Sequence, residues 1–393
     1  MPAYLDHAAT TPVRETALQA YLETARSLGG NPSSVHAGGR AARAVVEEAR
    51  EQVAAVLDAH PQEIVLTSGG TEADNLALTG LHAARQRDGA RPRLVVGALE
   101  HHAVLDCAEH LGAGGAEVVL AQANTQGVVT TDAVLDAVGE DPTQVSAVAL
   151  MWANNELGTL QPVTEVAAAL APLGVPVHTD AVQAVGQVPV SFRESGVSAL
   201  ALTGHKLGAP VGAGALLVRR DVDLVPLVHG GGQERGLRSG TLDAAGARAF
   251  AVALAEADAE RERESARRRG LRDRLLRGVL ETVPGARVAV PWPDPDGTAL
   301  LPGHAHLLLQ GCDGEALLFL LDCAGLAVSA GSACAAGVTR PSHVLAALGI
   351  GADDAVAALR ISLGHTSTDA DVDALLAQLP AAVERARAAR AVG

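Results

Sequence analysis

The chain has 393 residues, 48% of them apolar and only 2% aromatic, with a formal net charge of −15. At roughly 150 residues per domain the length suggests two domains, and Ala, Val and Leu must fill their cores. The acidic balance argues against direct nucleic-acid binding, because phosphate backbones are repelled. No stretch approaches the ~18 uninterrupted apolar residues of a membrane span.

The opening MPAYLDHAATTPV has neither a basic start nor an apolar run, so a soluble, cytoplasmic protein with free thiols is expected. The cysteines Cys107, Cys312, Cys323 and Cys334 form no CxxC pair, and no metal site is expected. Arg40 to Leu57 carries Val45, Val46, Ala49, Val53, Val56 and Leu57 at three- and four-residue steps, which predicts a helix. EIVLTSGG then reads as a strand ending in glycines, TEADNLALTGLHAAR as a helix, and RLVVGALEHHAV as a strand and turn. AEVVLAQ, VSAVALMWANNE, VPVHTDA and ALALTGHK are further strands, with PVTEVAAALAPLG a helix among them. Strands alternating with helices predict an α/β domain with a mostly parallel sheet flanked by helices.

From Thr241 to about Val283 the pattern is long, charged and helical, and RERESARRRGLRDRLLR within it reads as a solvated face. PGARVAVPWPDPDGTALLPG breaks that pattern. The remainder reads as a smaller α+β unit, with HAHLLLQG and AVSAGS as strands. Its helices fall near Asp313 to Leu321, Val344 to Leu348 and Asp369 to Arg387.

Ligands of parallel sheets gather at the carboxyl ends of the strands, and several polar groups sit there. TSGGTEADN turns on two glycines into a helix start, which suits a phosphate as well as an ordinary capped turn. Asp180 ends an apolar strand and needs a cationic partner, either a ligand or a salt bridge. Lys206, in TGHKLGAPVGAGAL, is the only lysine in the chain. A chain that writes Arg everywhere else has kept the one cation that can lose its proton and act as a nucleophile. His101 and His102 follow a strand, where an imidazole can stack on a ring, shuttle protons or merely hydrogen-bond. Asn154 and Asn155 either hold a ligand oxygen or shape a turn. Arg360 lies inside an apolar strand and demands a carboxylate, from protein or ligand. Together these groups are the set that pyridoxal phosphate requires.

Ordered motifs extend this reading along nearly the whole chain: YLDHAATTPV, NPSSVH, TSGGTEADNLAL, EHHAVL, NNELG, HTDAVQAVG, TGHKLG, GGGQERGLRSGTL, SAGSACAAG and LRISLG. They resemble the cysteine desulfurases of the NifS and IscS type, class-V aminotransferases of pyridoxal-phosphate fold type I. The resemblance implies a large cofactor domain over 12–260 and a small domain over 1–11 and 261–393. It implies that Lys206 carries the cofactor, Asp180 pairs with its pyridine nitrogen, Gln183 reaches its ring hydroxyl and His101 stacks on its ring. Gly70, Thr71, Thr203 and His205 would hold the phosphate, with Thr241 reaching it from the second subunit of a homodimer. Asn155, also beside the cofactor, and Arg360 would hold the carboxylate of L-cysteine.

Cys334, set among small residues, would take the sulfur as a persulfide and pass it to an acceptor, an iron–sulfur scaffold protein or a tRNA-thiolation enzyme. The other cysteines sit among apolar residues and are expected to be structural. Transamination on the same fold needs no such thiol. A scaffold protein using Cys334 as a cluster ligand needs neither Lys206 nor Asp180.

Overall fold

The computed structural model describes residues 3–87, 89–330 and 342–392. Cys334, with the rest of 331–341, lies outside the described residues. Seven short runs form the central sheet, in the spatial order Ile64–Thr67, Gly214–Val218, Ala199–Thr203, Val177–Asp180, Val145–Ala149, Arg93–Gly97 and Glu117–Ala121. Neighbouring strands pair in parallel except around Gly214–Val218, which is antiparallel to both its neighbours. Ile64–Thr67, Val145–Ala149 and Ala199–Thr203 are buried along their whole length, as strands covered on both faces must be. Their side chains alternate between two cores. Leu66, Leu200 and Leu202 join one face; Val65, Ala199 and Ala201 join the other, against Leu76 and Leu81.

The 39-residue helix Ala244–Thr282 starts at Asp243, whose carboxylate accepts from Gly246 N–H at 3.0 Å. Its first half sends Ala249, Phe250 and Leu254 into the large core. Its second half turns Leu271, Leu275 and Val279 into a separate core with Leu5, Leu307, Leu359 and Leu375. Beside that second core lies an antiparallel sheet with His304–Leu309 between Ala286–Val288 and Ala358–Ser362. Ala3–Tyr4 pairs in parallel with Leu326–Ala327, which brings the N-terminal segment to the C-terminal part of the chain. Among the described residues no helix is long and apolar enough to cross a membrane.

Five readings from sequence change. Gly214–Val218 was not foreseen as a strand, because its glycine-rich approach reads as loop; it returns antiparallel after the Lys206 turn. ALALTGHK ends as a strand at Thr203, where Gly204 N–H is taken by Ala213 O at 2.8 Å. The arginine-rich helix face is solvated only in part. Arg268 and Arg272 are buried, and Arg272 donates to Leu301 O while pairing with Asp273. Cys107 and Cys312 are buried, but Cys323 is exposed at the end of the helix Gly314–Cys323. Of AVSAGS, only Ala327 is in a strand, Leu326–Ala327, and Ser329 makes an isolated bridge to Arg360, within the described residues.

Candidate active site

The carboxyl ends of the strands converge on one cavity of about 260 Å³. Its floor and walls include Asp180 from the end of Val177–Asp180, Thr203 from the end of Ala199–Thr203, and His205 and Lys206 from the turn that follows. His101 enters after Arg93–Gly97, and Asn155 from the turns that follow Val145–Ala149. Gly70 and Thr71 open the helix Gly70–Arg85, whose first-turn N–H groups have no partner within the helix. Gly69 adopts φ +153°, and a Cβ on Gly70 would lie 2.8 Å from Val182 Cγ2. The turn therefore needs glycine to bring the helix start against the segment after Asp180. Arg360 reaches the cavity from the small sheet.

Lys206 Nζ donates to Ala9 O at 2.7 Å and also to Ala8 O. Gln183 lines the same cavity and donates its amide N–H to Ala8 O at 3.0 Å. These carbonyls come from the N-terminal segment, which the sequence reading did not assign to the lysine. Arg360 Nη2 pairs with Asp6 Oδ1 at 2.8 Å and Nη1 donates to Asn155 O at 3.3 Å, while the buried Nε has no partner among the described residues. The carboxylate that the buried guanidinium demanded is therefore supplied first by the protein.

Burial dominates the ionisation of the site. It pushes the Asp180 carboxyl up to about 6, against the pull of Val182 N–H, which donates to Oδ1 at 2.8 Å, and of the Lys206 charge. It pushes His101 down to about 4, helped by the charge on Lys206. His101 Nδ1 accepts from Ala103 N–H at 3.1 Å, so the neutral ring carries its proton on Nε2. His205 falls to about 4 for the same reasons, burial and then Lys206. Asp74, a cavity residue that the sequence reading missed, meets His178 Nε2 at 3.0 Å. Burial, then the Asp180 charge, raises the Asp74 carboxyl, while burial lowers His178 to about 4. Both shifts lead to a neutral hydrogen-bonded pair.

The structure thus brings together Gly70, Thr71, His101, Asn155, Asp180, Gln183, Thr203, His205, Lys206 and Arg360. Thr241 lies elsewhere, in a cavity of about 110 Å³ with Ser68, Arg238 and Phe250. Asn154 is a turn residue: Nδ2 donates to Leu99 O, and Oδ1 accepts from Glu156 and Leu157 N–H. Asp74 could have been found from its place one helical turn beyond Gly70 (four residues on), which sets both on one face.

The residues present fit pyridoxal phosphate. A buried carboxyl with a raised pKa calls for an N–H⁺ donor such as a pyridinium. A helix start with Gly69 and Gly70 suits a phosphate, and one amine stands in the same cavity.

The aminotransferase class-V family profile matches residues 3–375. An IscS-like cysteine desulfurase of Mycobacterium tuberculosis is 50% identical over 389 residues, covering 98% of each chain. A cysteine desulfurase of Gluconacetobacter diazotrophicus is 41% identical, over 98% of this chain and 94% of that one. The solved structure of a NifS-like protein matches with a TM-score of 0.89 at 33% identity, over 98% of this chain and 100% of that one. Family profile, full-length relatives and solved structure converge: the chain belongs to the class-V aminotransferase family, in its pyridoxal-phosphate-dependent cysteine desulfurase branch of the NifS and IscS type.

Proposed function

We propose that the protein takes sulfur from L-cysteine, leaves L-alanine, and carries the sulfur as a persulfide on Cys334. The observation that supports this most is the chain's single lysine opening into a cavity with a buried carboxyl, a neutral imidazole and a guanidinium. When bound there, pyridoxal phosphate supplies the electron sink that makes the Cα–H of an amino acid acidic.

Gly70, Thr71, Thr203 and His205 would hold its phosphate, and Asp180 would accept a hydrogen bond from its ring nitrogen. His101 would lie against its ring, and Gln183 beside its hydroxyl. Lys206 would hold the cofactor through Nζ, and the same amine, in the same cavity, would take the Cα proton of the substrate. Asn155 and Arg360 hold the substrate carboxylate, with Arg360 Nε still free to donate among the described residues.

The Cys334 thiolate attacks the substrate sulfur. An S–S bond forms as the Cβ–S bond breaks, and Cβ keeps the electron pair to become the methyl of alanine after protonation. The two electrons lost by sulfur are gained by carbon, so no outside oxidant is needed. Thr241 stands outside its own chain's cavity, which supports its assignment to the phosphate of a second copy in a homodimer. The separate core around Leu5, Leu275 and Leu359 supports a small domain over 1–11 and 261–393 beside a large one over 12–260. The sulfur acceptor is a protein of iron–sulfur cluster assembly or tRNA thiolation, met in the cytoplasm.

Borohydride should fix the cofactor to the wild type and not to Lys206→Ala. With L-cysteine and no reductant, mass spectrometry should find one added sulfur on Cys334. Sulfide released with reductant should vanish in Cys334→Ala; release at the wild-type rate would overturn the assignment.

A further inference from the structure

Hydrogen bonds pin both ends of the segment that carries Cys334. Upstream, Ser329 and Arg360 exchange backbone bonds, Arg360 N–H to Ser329 O at 2.7 Å and Ser329 N–H to Arg360 O at 3.2 Å. Downstream, Ser342 Oγ donates to Glu156 Oε2 at 2.6 Å and accepts from Leu345 N–H at 3.1 Å, capping the helix His343–Ala347. His343 Nε2 meets Glu100 O at 3.0 Å. Ser342 and Glu156 are only 3% and 4% exposed. Glu156 directly follows Asn155, whose carbonyl receives Arg360 Nη1. The upstream end is thus fastened at Arg360 itself and the downstream end at Glu156, the residue next to Asn155.

Glu156 is an unusual choice for a mere fastener. Burial raises its carboxyl pKa, and the Ser342 bond is the largest opposing pull. It makes no ion pair among the described residues. The charges of Arg360 and His102 also pull it down without touching it, so the Ser342 hydroxyl is the side chain that directly satisfies this buried carboxyl among the described residues. Glu156 does not line the cofactor cavity, so it acts through what it holds.

We propose that Glu156 is a positioning residue for the sulfur-transfer step, tying the downstream end of the Cys334-bearing segment to the Asn155 side of the substrate site through Ser342. The inference rests on the assignment of Cys334 as sulfur acceptor.

The test uses full-length holoenzyme and two readouts. One is the change in cofactor absorbance on adding L-cysteine; the other is the single-turnover rate of persulfide formation on Cys334, followed by alkylation and mass spectrometry. Glu156→Ala and Ser342→Ala should keep the amplitude and midpoint of the absorbance change. Both should slow persulfide formation about 10- to 100-fold, the range expected for one lost hydrogen bond to a charged group. Glu156→Gln, whose amide oxygen still accepts from Ser342, should recover to within about fivefold of wild type. The double variant should be no slower than either single one, because both remove the same bond. Persulfide formation at the wild-type rate in both alanine variants overturns the proposal, and so does an equal loss of cysteine binding and sulfur transfer. A wild type that yields alanine with no sulfur on Cys334 overturns the underlying assignment instead.

Discussion

Asp180→Asn should make the cofactor-free protein more stable while disabling the enzyme. Burial lifts the Asp180 carboxyl from 3.8 to about 6. A raised folded-state pKa means that the folded chain holds this proton more tightly than the unfolded chain. That stabilisation is complete below the unfolded value and is lost as pH rises through the folded one. At pH 7.5 the wild type therefore bears the whole cost of a buried charge. A gap of about two units at 1.36 kcal/mol each puts this cost at about 3 kcal/mol. The asparagine has no charge to bury, and its amide oxygen can still accept from Val182 N–H.

Urea unfolding of the apo proteins should give Asp180→Asn an advantage of about 3 kcal/mol at pH 7.5. At pH 5, below the folded value, the advantage should shrink by roughly 1 kcal/mol. With the cofactor, the order reverses in function: on the proposed assignment the variant loses the carboxylate that would hold the pyridine proton, so cofactor affinity and desulfuration should both fall. An Asp180→Asn protein no more stable than wild type at pH 7.5, or an advantage independent of pH, would refute the reasoning.

Glu234 is fully buried and takes Arg50 Nη1 and Nη2 at 2.8 and 2.7 Å and Leu66 N–H at 2.8 Å. Glu234→Ala should cost about 3 kcal/mol in urea unfolding, because it leaves a buried guanidinium with only the half-exposed Glu47 carboxylate and Ile64 O as partners; a loss below about 1 kcal/mol would count against that account. Gly70→Ala should weaken cofactor binding, measured by absorbance titration, because its Cβ would press on Val182 Cγ2 at 2.8 Å. Val182→Ala in the same chain should restore part of the loss, and no restoration would place the fault elsewhere. His101, held near 4 by burial and Lys206, should show no imidazole titration between about pH 5 and 8 in the NMR spectrum of the free enzyme. A midpoint near 6.5 would contradict the buried, neutral ring.

The sequence by itself singled out most of the polar side chains that the cavity brings together. Lys206 is legible because an amine has no substitute in a chain whose other fixed cations are arginines. Asp180, Thr203, His101 and the Gly69–Gly70 turn are legible because each ends or follows an apolar run, and parallel strands deliver their ends to one edge of the sheet. The long helix Ala244–Thr282 is legible from a long charged stretch unbroken by proline.

Only the tertiary structure decided who meets whom. Asp6 finds Arg360 across 354 positions, Ala8 finds Lys206 across 198, and Glu156 finds Ser342 across 186. No local pattern records such pairings, because they arise when the N-terminal segment, the small sheet and the strand ends are packed together. The ionisation of the site follows from the same packing. Asp180, Asp74 and His178 take their protonation from the water that burial removes and the charges it brings close, and both are sums over the whole fold rather than properties of any stretch of chain.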